Sequence, residues 1–166
     1  LQNQSIKVIC DADWKDLLIE RLPEIPNFTL LVGWTGQVAI TDSLIQATEK
    51  KRKVETDSAF YKEFLAKSHA IVQGLQSAWN NQDIPALQEG IRANRALLNE
   101  FAQVMQLEIE TPALQTLCNL AEQNGACAKT SGAGGGDCGI CFTQNETQRQ
   151  QIETQWAKAQ IQVLPI

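Results

Sequence analysis

Four of the chain's ten glycines fall within five residues, Gly132-Ala-Gly-Gly-Gly136. The residues on both sides, Ala126-Cys-Ala-Lys-Thr130 and Cys138-Gly-Ile-Cys-Phe142, read as β-strands. A hairpin turn needs only two to five residues, and three successive glycines cost more ordering entropy than a turn requires. Glycine runs let the backbone adopt φ > 0 and approach a ligand closely, so that successive N–H groups converge on an anionic oxygen. The segment therefore reads as a strand-to-strand loop able to approach an anionic ligand, with a flexible hairpin connection as the competing reading. Ser131 adds a hydroxyl and Lys129 a nearby charge. The loop fits neither standard nucleotide fingerprint: one ends in Gly-Lys-Ser/Thr, and the other joins a strand to a helix.

Around this loop the pattern is mixed. Ile6-Lys-Val-Ile-Cys10 has strand character, and Trp14, Leu17, Leu18 and Leu22 share a helical face before Pro23 and Pro26 break the chain. Phe28-Thr-Leu-Leu-Val-Gly-Trp34 reads as a central strand ending in a turn at Thr35-Gly36. A helix begins at the cap-like Thr41-Asp-Ser43, and the basic run Glu49-Lys-Lys-Arg-Lys53 reads as a solvated face.

From Asp57 onward Phe60, Phe64, Ile71, Leu75 and Trp79 recur at helical spacing. A second helix follows, with Asp83 as N-cap, Pro85 in its first turn and a seam of Ile84, Leu87, Ile91, Asn94, Leu98, Phe101 and Met105. The short Asn80-Asn-Gln82 turn predicts that the two pack antiparallel, with a coiled-coil partner as the competing reading. Thr111-Pro112 opens a third helix, which buries Leu114, Leu117, Cys118 and Ala121 and stops at Asn124-Gly125. After the loop and its strands come a helix around residues 152–159 and a strand through Ile161 and Val163. The order β-α-α-α-β-β-α-β predicts an α+β fold, a two-layer sandwich with a largely antiparallel sheet and helices packed on one face.

Composition narrows the partners. A net charge of −5 argues against nucleic acid or an anionic membrane as the main partner, since both require a basic face, and no apolar run nears the ~20 residues that span a bilayer. Five cysteines, an odd number without framework spacing, suit reduced thiols and a cytoplasmic location. Cys138 and Cys141 have zinc-ligand spacing but no second pair nearby, and residues three apart on a strand point to opposite faces. His69, the only histidine, has no sequence-adjacent partner. Trp14, Trp34 and Trp79 read as core anchors. The missing initiator methionine and the end at Leu164-Pro-Ile166 lead us to expect a piece of a longer chain.

Lys129-Thr-Ser-Gly-Ala-Gly-Gly-Gly-Asp-Cys-Gly-Ile140 resembles the third motif of the GHMP kinase superfamily, Gly-Ala-Gly-Gly-Gly-Gly-Cys or close to it. Asp137, where most members carry glycine, and the upstream Leu31-Val-Gly-Trp-Thr35 are similar to the bacterial phosphomevalonate kinase branch. The resemblance extends from about Trp14 to the end of the chain. It implies the superfamily's ferredoxin-like C-terminal domain over residues 28–166, with residues 1–27 linking to an N-terminal domain. It also implies ATP and Mg²⁺ as cofactors, held mainly by that other domain, and phosphomevalonate as substrate.

Carried over residue by residue, the substrate- and phosphate-facing group is Ser131, Gly132, Ala133, Gly134, Gly135, Gly136 and Asp137. Lys129, Thr35, Thr41 and Ser43 are further candidates. The superfamily's Gly-Leu-Gly-Ser-Ser nucleotide loop has no counterpart here, so no catalytic residue is assigned and the piece alone is expected to be inactive. The alternatives are a mevalonate or homoserine kinase of the same superfamily, or a non-enzymatic helical interaction module built on the seam from Ile84 to Met105.

Overall fold

A computed structural model of the chain describes residues 21–36, 59–132 and 134–165. The early strand at residues 6–10, the helical face from Trp14 to Leu18, the helix at Thr41 and the basic run at residues 49–53 lie outside these. The described elements are β1 (Thr29–Trp34), α1 (Ala59–Asn80), α2 (Ile84–Met105), α3 (Pro112–Gln123), β2 (Cys127–Thr130), β3 (Cys138–Thr143), α4 (Glu146–Lys158) and β4 (Gln162–Leu164). The strands form one sheet in the order β2-β3-β1-β4, and every neighbouring pair is antiparallel. β1 is internal, as its apolar run predicts, and the architecture is the α+β sheet-and-helix fold read from the element order.

Local signals set most boundaries. The Asp83 carboxylate accepts from the Ala86 N–H at 3.1 Å, capping α2 ahead of Pro85. The Thr111 hydroxyl caps α3 in the same way. Gly125, at φ 75°, ends α3 with its N–H on the Glu122 carbonyl, while the Ala126 N–H bonds the Ala121 carbonyl.

α4 departs from expectation, because it begins at Glu146 rather than near Ile152. Its first turns are wholly polar and give no apolar period. What starts the helix is Asn145, whose side chain accepts from the Gln148 N–H at 2.8 Å. Gln148 in turn accepts from the Gln144 N–H at 2.7 Å, a reciprocal capping arrangement.

α1 and α2 form the expected antiparallel hairpin. Phe64 meets Phe101 with ring centroids 4.4 Å apart, and the bare Gly90 backbone lets Leu75 approach, since a Cβ there would lie 2.7 Å from its Cδ2. The α2 seam is thus filled from within the molecule, which removes the feature that motivated a helical interaction module. α2 also packs on β2, so its buried face is wider than one seam: Leu97 is buried and Leu98 half-buried.

The main core lies between the sheet and the helices α3 and α4, and contains Leu31, Leu117, Cys118, Ala121, Ala128, Cys141, Ile152, Trp156 and Ile161. Its anchor is Trp156, fully buried with its indole N–H on the Leu117 carbonyl at 3.0 Å. This corrects the choice of anchors. Trp79 is half-buried and donates to the Pro23 carbonyl at 2.7 Å. Trp34 is also half-buried, and Trp14 lies outside the described residues. No described helix is long and apolar enough to cross a membrane.

Candidate functional site

β2 and β3 pair from Cys127↔Phe142 to Thr130↔Gly139, and the Ser131 N–H extends the ladder to the Cys138 carbonyl at 2.9 Å. Between them the backbone takes conformations that side chains rarely adopt. Gly132, Gly134, Gly135 and Gly136 have φ of 66°, 78°, 81° and 134°, and Asp137 follows at 59°. The glycines are therefore required by the path of the loop. Asp137 is tolerated in the left-handed region because a short polar side chain there is the least unfavourable alternative to glycine.

Two braces hold this loop. From below, the Gly135 N–H donates to the Ile109 carbonyl at 2.8 Å. The loop lies so close to that residue that a Cβ on Gly134 would be 2.4 Å from the same oxygen. From the side, the Asp137 carbonyl accepts from the Thr35 N–H at 2.8 Å and from the Thr35 hydroxyl at 2.9 Å. Gly134 and Gly136 are buried, yet among the described residues their N–H groups have no partner in the backbone network that holds Gly135. Buried N–H groups without partners are rare, and backbone N–H groups presented by turns of this kind can receive an anion.

Of the residues singled out in the sequence, Thr35, Ser131, Gly132, Gly134, Gly135, Gly136 and Asp137 lie together here, with Lys129 on the strand leading in. Ala133, Thr41 and Ser43 lie outside the described residues. The Lys129 ammonium donates to the Thr130 carbonyl at 2.9 Å, and burial pushes its pKa below the usual lysine range. Thr130 is 2% exposed, and its hydroxyl has no hydrogen-bond partner among the described residues. The Asp137 side chain is exposed.

The buried cysteines are poor nucleophiles. Burial pushes the thiol pKa up to about 12 at Cys118 and about 11 at Cys127, and raises that of Cys141 as well. Cys138 is half-buried, whereas Cys141 is in the core, so the two do not share a face. His69 is exposed on α1.

The residues that support the loop from beneath gave no signal in the sequence. Ile109 is 8% exposed and packs with Phe101, Ala102 and Met105. The next residue, Glu110, is held by Arg95 through both carboxylate oxygens, Nε to Oε2 at 2.8 Å and Nη2 to Oε1 at 2.6 Å. Asn99 adds a third bond to Oε2 at 3.1 Å. Burial pushes the Glu110 pKa up, but the bonds from Arg95 and Asn99 outweigh it, and the net pKa lies below the usual carboxylate value.

Residues 71–162 match the family described as GHMP kinases C terminal. The chain belongs to that family. It is 36% identical over 157 residues to a phosphomevalonate kinase of Streptomyces sp. (strain CL190), a match that covers 93% of this chain and 41% of that protein. Among solved structures, a protein from Listeria innocua superposes with a TM-score of 0.85 at 32% identity, over 99% of this chain and 45% of its own. The Streptococcus pneumoniae phosphomevalonate kinase in complex with phosphomevalonate and AMPPNP superposes with a TM-score of 0.70 at 29% identity, over 82% and 38% of the respective chains. The chain thus spans less than half the length of these relatives.

Proposed function

We propose that this GHMP kinase domain is the C-terminal part of an ATP-dependent kinase that converts 5-phosphomevalonate to 5-diphosphomevalonate, in the cytoplasmic mevalonate route to isoprenoids. The observation that carries the reading is the braced glycine loop, in which the N–H groups of Gly134 and Gly136 have no backbone partner among the described residues and would be open to an anionic oxygen. The relatives named as phosphomevalonate kinases support the choice of substrate over mevalonate or homoserine.

In this reading the loop from Ser131 to Gly136, Ala133 included, faces the phosphates. Lys129 and Asp137 flank it, Thr35 reaches toward the substrate from the strand end, and Thr41 and Ser43 contribute from a helix start. Because phosphoryl transfer is catalysed mainly by positioning and by stabilising charge, N–H groups fixed before the substrate arrives suit the task. ATP supplies the transferred phosphoryl group. The residues described fit a phosphate rather than a metal, since Asp137 is the one carboxylate within the loop. Mg²⁺, the nucleotide loop and the catalytic base then belong mainly to an N-terminal domain, which residues 1–27 would join to the domain at 28–166.

The test is a coupled ADP-release assay on the full-length protein with phosphomevalonate, mevalonate and homoserine. Turnover with phosphomevalonate well above the other two is expected, and none from residues 1–166 alone. Equal rates with mevalonate and phosphomevalonate would refute the substrate, and ADP release from the isolated domain would refute the division of labour.

A further inference from the structure

We propose that the Arg95–Glu110–Asn99 cluster positions the glycine loop, fixing through the Ile109 carbonyl the geometry in which the Gly134 and Gly136 N–H groups meet a phosphate. This rests on the function proposed above, but the physical link stands on its own geometry. Ile109 and Glu110 share one peptide unit. Because that unit is planar, the direction of the Ile109 carbonyl is tied to the Cα of Glu110.

Both ends of the plane are held. The Ile109 side chain is packed against Phe101 and Met105. The Glu110 side chain, 6% exposed, is gripped by Arg95 at 17% exposure, by Asn99 from one turn further along α2, and through Arg95 by Asn119 of α3 at 3.0 Å. The carbonyl held in this way receives the Gly135 N–H and forms the floor beneath Gly134.

A buried ion pair is a poor source of net stability, since apolar residues of similar volume generally serve as well. Its placement one residue from the floor of the loop therefore calls for another reason. The pair fixes a direction, and it neutralises a carboxylate that would otherwise repel phosphate. The neighbouring pair supplies the contrast. Arg92 bonds Glu122 at 2.8 Å and the Ala126 carbonyl at 3.2 Å, which ties α2 to the start of β2 and not to the loop.

The experiment compares Arg95→Met, Glu110→Gln and Arg92→Met in the full-length protein. One arm measures peptide-resolved amide hydrogen exchange over residues 134–136 without substrate, and the other measures kcat and KM for phosphomevalonate. Arg95→Met is expected to raise exchange over 134–136 about tenfold and to lower kcat by roughly 10- to 100-fold, as small misplacements of reacting groups do, with KM changed far less. Glu110→Gln keeps the shape and most of the hydrogen bonds, so it should show a smaller change in the same direction. Arg92→Met should lose stability without altering exchange at the loop.

Unchanged exchange over 134–136 in folded Arg95→Met overturns the proposal, as does an equal loss of kcat in Arg92→Met. If Arg95→Met does not fold, Glu110→Gln decides by the same two readings. A wild-type protein that does not phosphorylate phosphomevalonate defeats the proposed function, while the exchange arm still decides the positioning role.

Discussion

Gly139 faces Gly33 across the β1–β3 ladder, and the Leu117 side chain of α3 occupies the slot that the two bare backbones leave. A Cβ on Gly139 would lie 2.6 and 3.0 Å from the two Leu117 methyl carbons and 3.3 Å from the Lys129 carbonyl oxygen. Gly139→Ala should therefore overpack the core at Leu117. Such insertions cost about 1–3 kcal/mol, and alanine recovers roughly 0.5–1 kcal/mol over glycine in a strand, which leaves a net loss of about 1–2 kcal/mol. At roughly 2–4 °C per kcal/mol for a domain of this size, the melting temperature should fall by about 2–8 °C.

Leu117 is fully buried, so Leu117→Ala alone should cost about 2–5 kcal/mol. In that background the methyl added by Gly139→Ala has room, so the double variant should be more stable than the sum of the single losses by the overpacking term, about 1–3 kcal/mol. Urea titration followed by tryptophan fluorescence measures each corner of the cycle, provided the m-values agree. Strict additivity, with Gly139→Ala equally costly in both backgrounds, would refute the claim that Leu117 is what requires glycine at this position.

Gly134→Ala should be more damaging to function than to the fold. Its Cβ would meet the Ile109 carbonyl at 2.4 Å with φ at 78°, a strain of about 1–3 kcal/mol, and loss of phosphomevalonate-dependent ADP release is the expected readout. Thiol labelling of the folded protein should modify Cys138, the least buried of the four described cysteines, well before Cys118, Cys127 and Cys141; equal rates would contradict the packing of the core. The pH dependence of stability should carry a Glu110 component. Its pKa is lowered on folding from 4.5, so its contribution is fully present above that value and is lost as pH falls through the folded-state pKa. Acid unfolding of Glu110→Gln should accordingly be less steep below pH ~4.5 than that of the wild type.

What could be read from the sequence follows from the range over which each interaction acts. Asp83 with Pro85, Thr111 with Pro112 and Asn124 with Gly125 mark helix ends through bonds that span only a few residues, and each stands where the sequence places it. The first turns of α4 bury nothing until Ile152, so they carry no apolar period. Their signal is the local cap of Asn145 and Gln148. Trp156 could not be ranked above Trp34 and Trp79 by period alone, since its burial depends on α4 packing over Leu117. Arg95 and Glu110 are separated by a helix end and a turn, and neither residue type in either context points to the other.

The two motifs that carry the family resemblance, Val-Gly-Trp-Thr and the glycine loop, are far apart in sequence and adjacent in the sheet. Gly33 pairs with Gly139 and Trp34 with Cys138, and Thr35 then closes on the Asp137 carbonyl through both its N–H and its hydroxyl. The pairing explains how an aspartate can stand at φ 59°. A non-glycine residue there costs about 1–2 kcal/mol, and two hydrogen bonds to its carbonyl, worth about 1 kcal/mol each, are enough to offset that. Thr35 thus belongs to the loop as much as to its own strand, and the two motifs act as one structural unit: a bare-backbone slot that seats α3, continued into a glycine loop braced by Thr35 and Ile109.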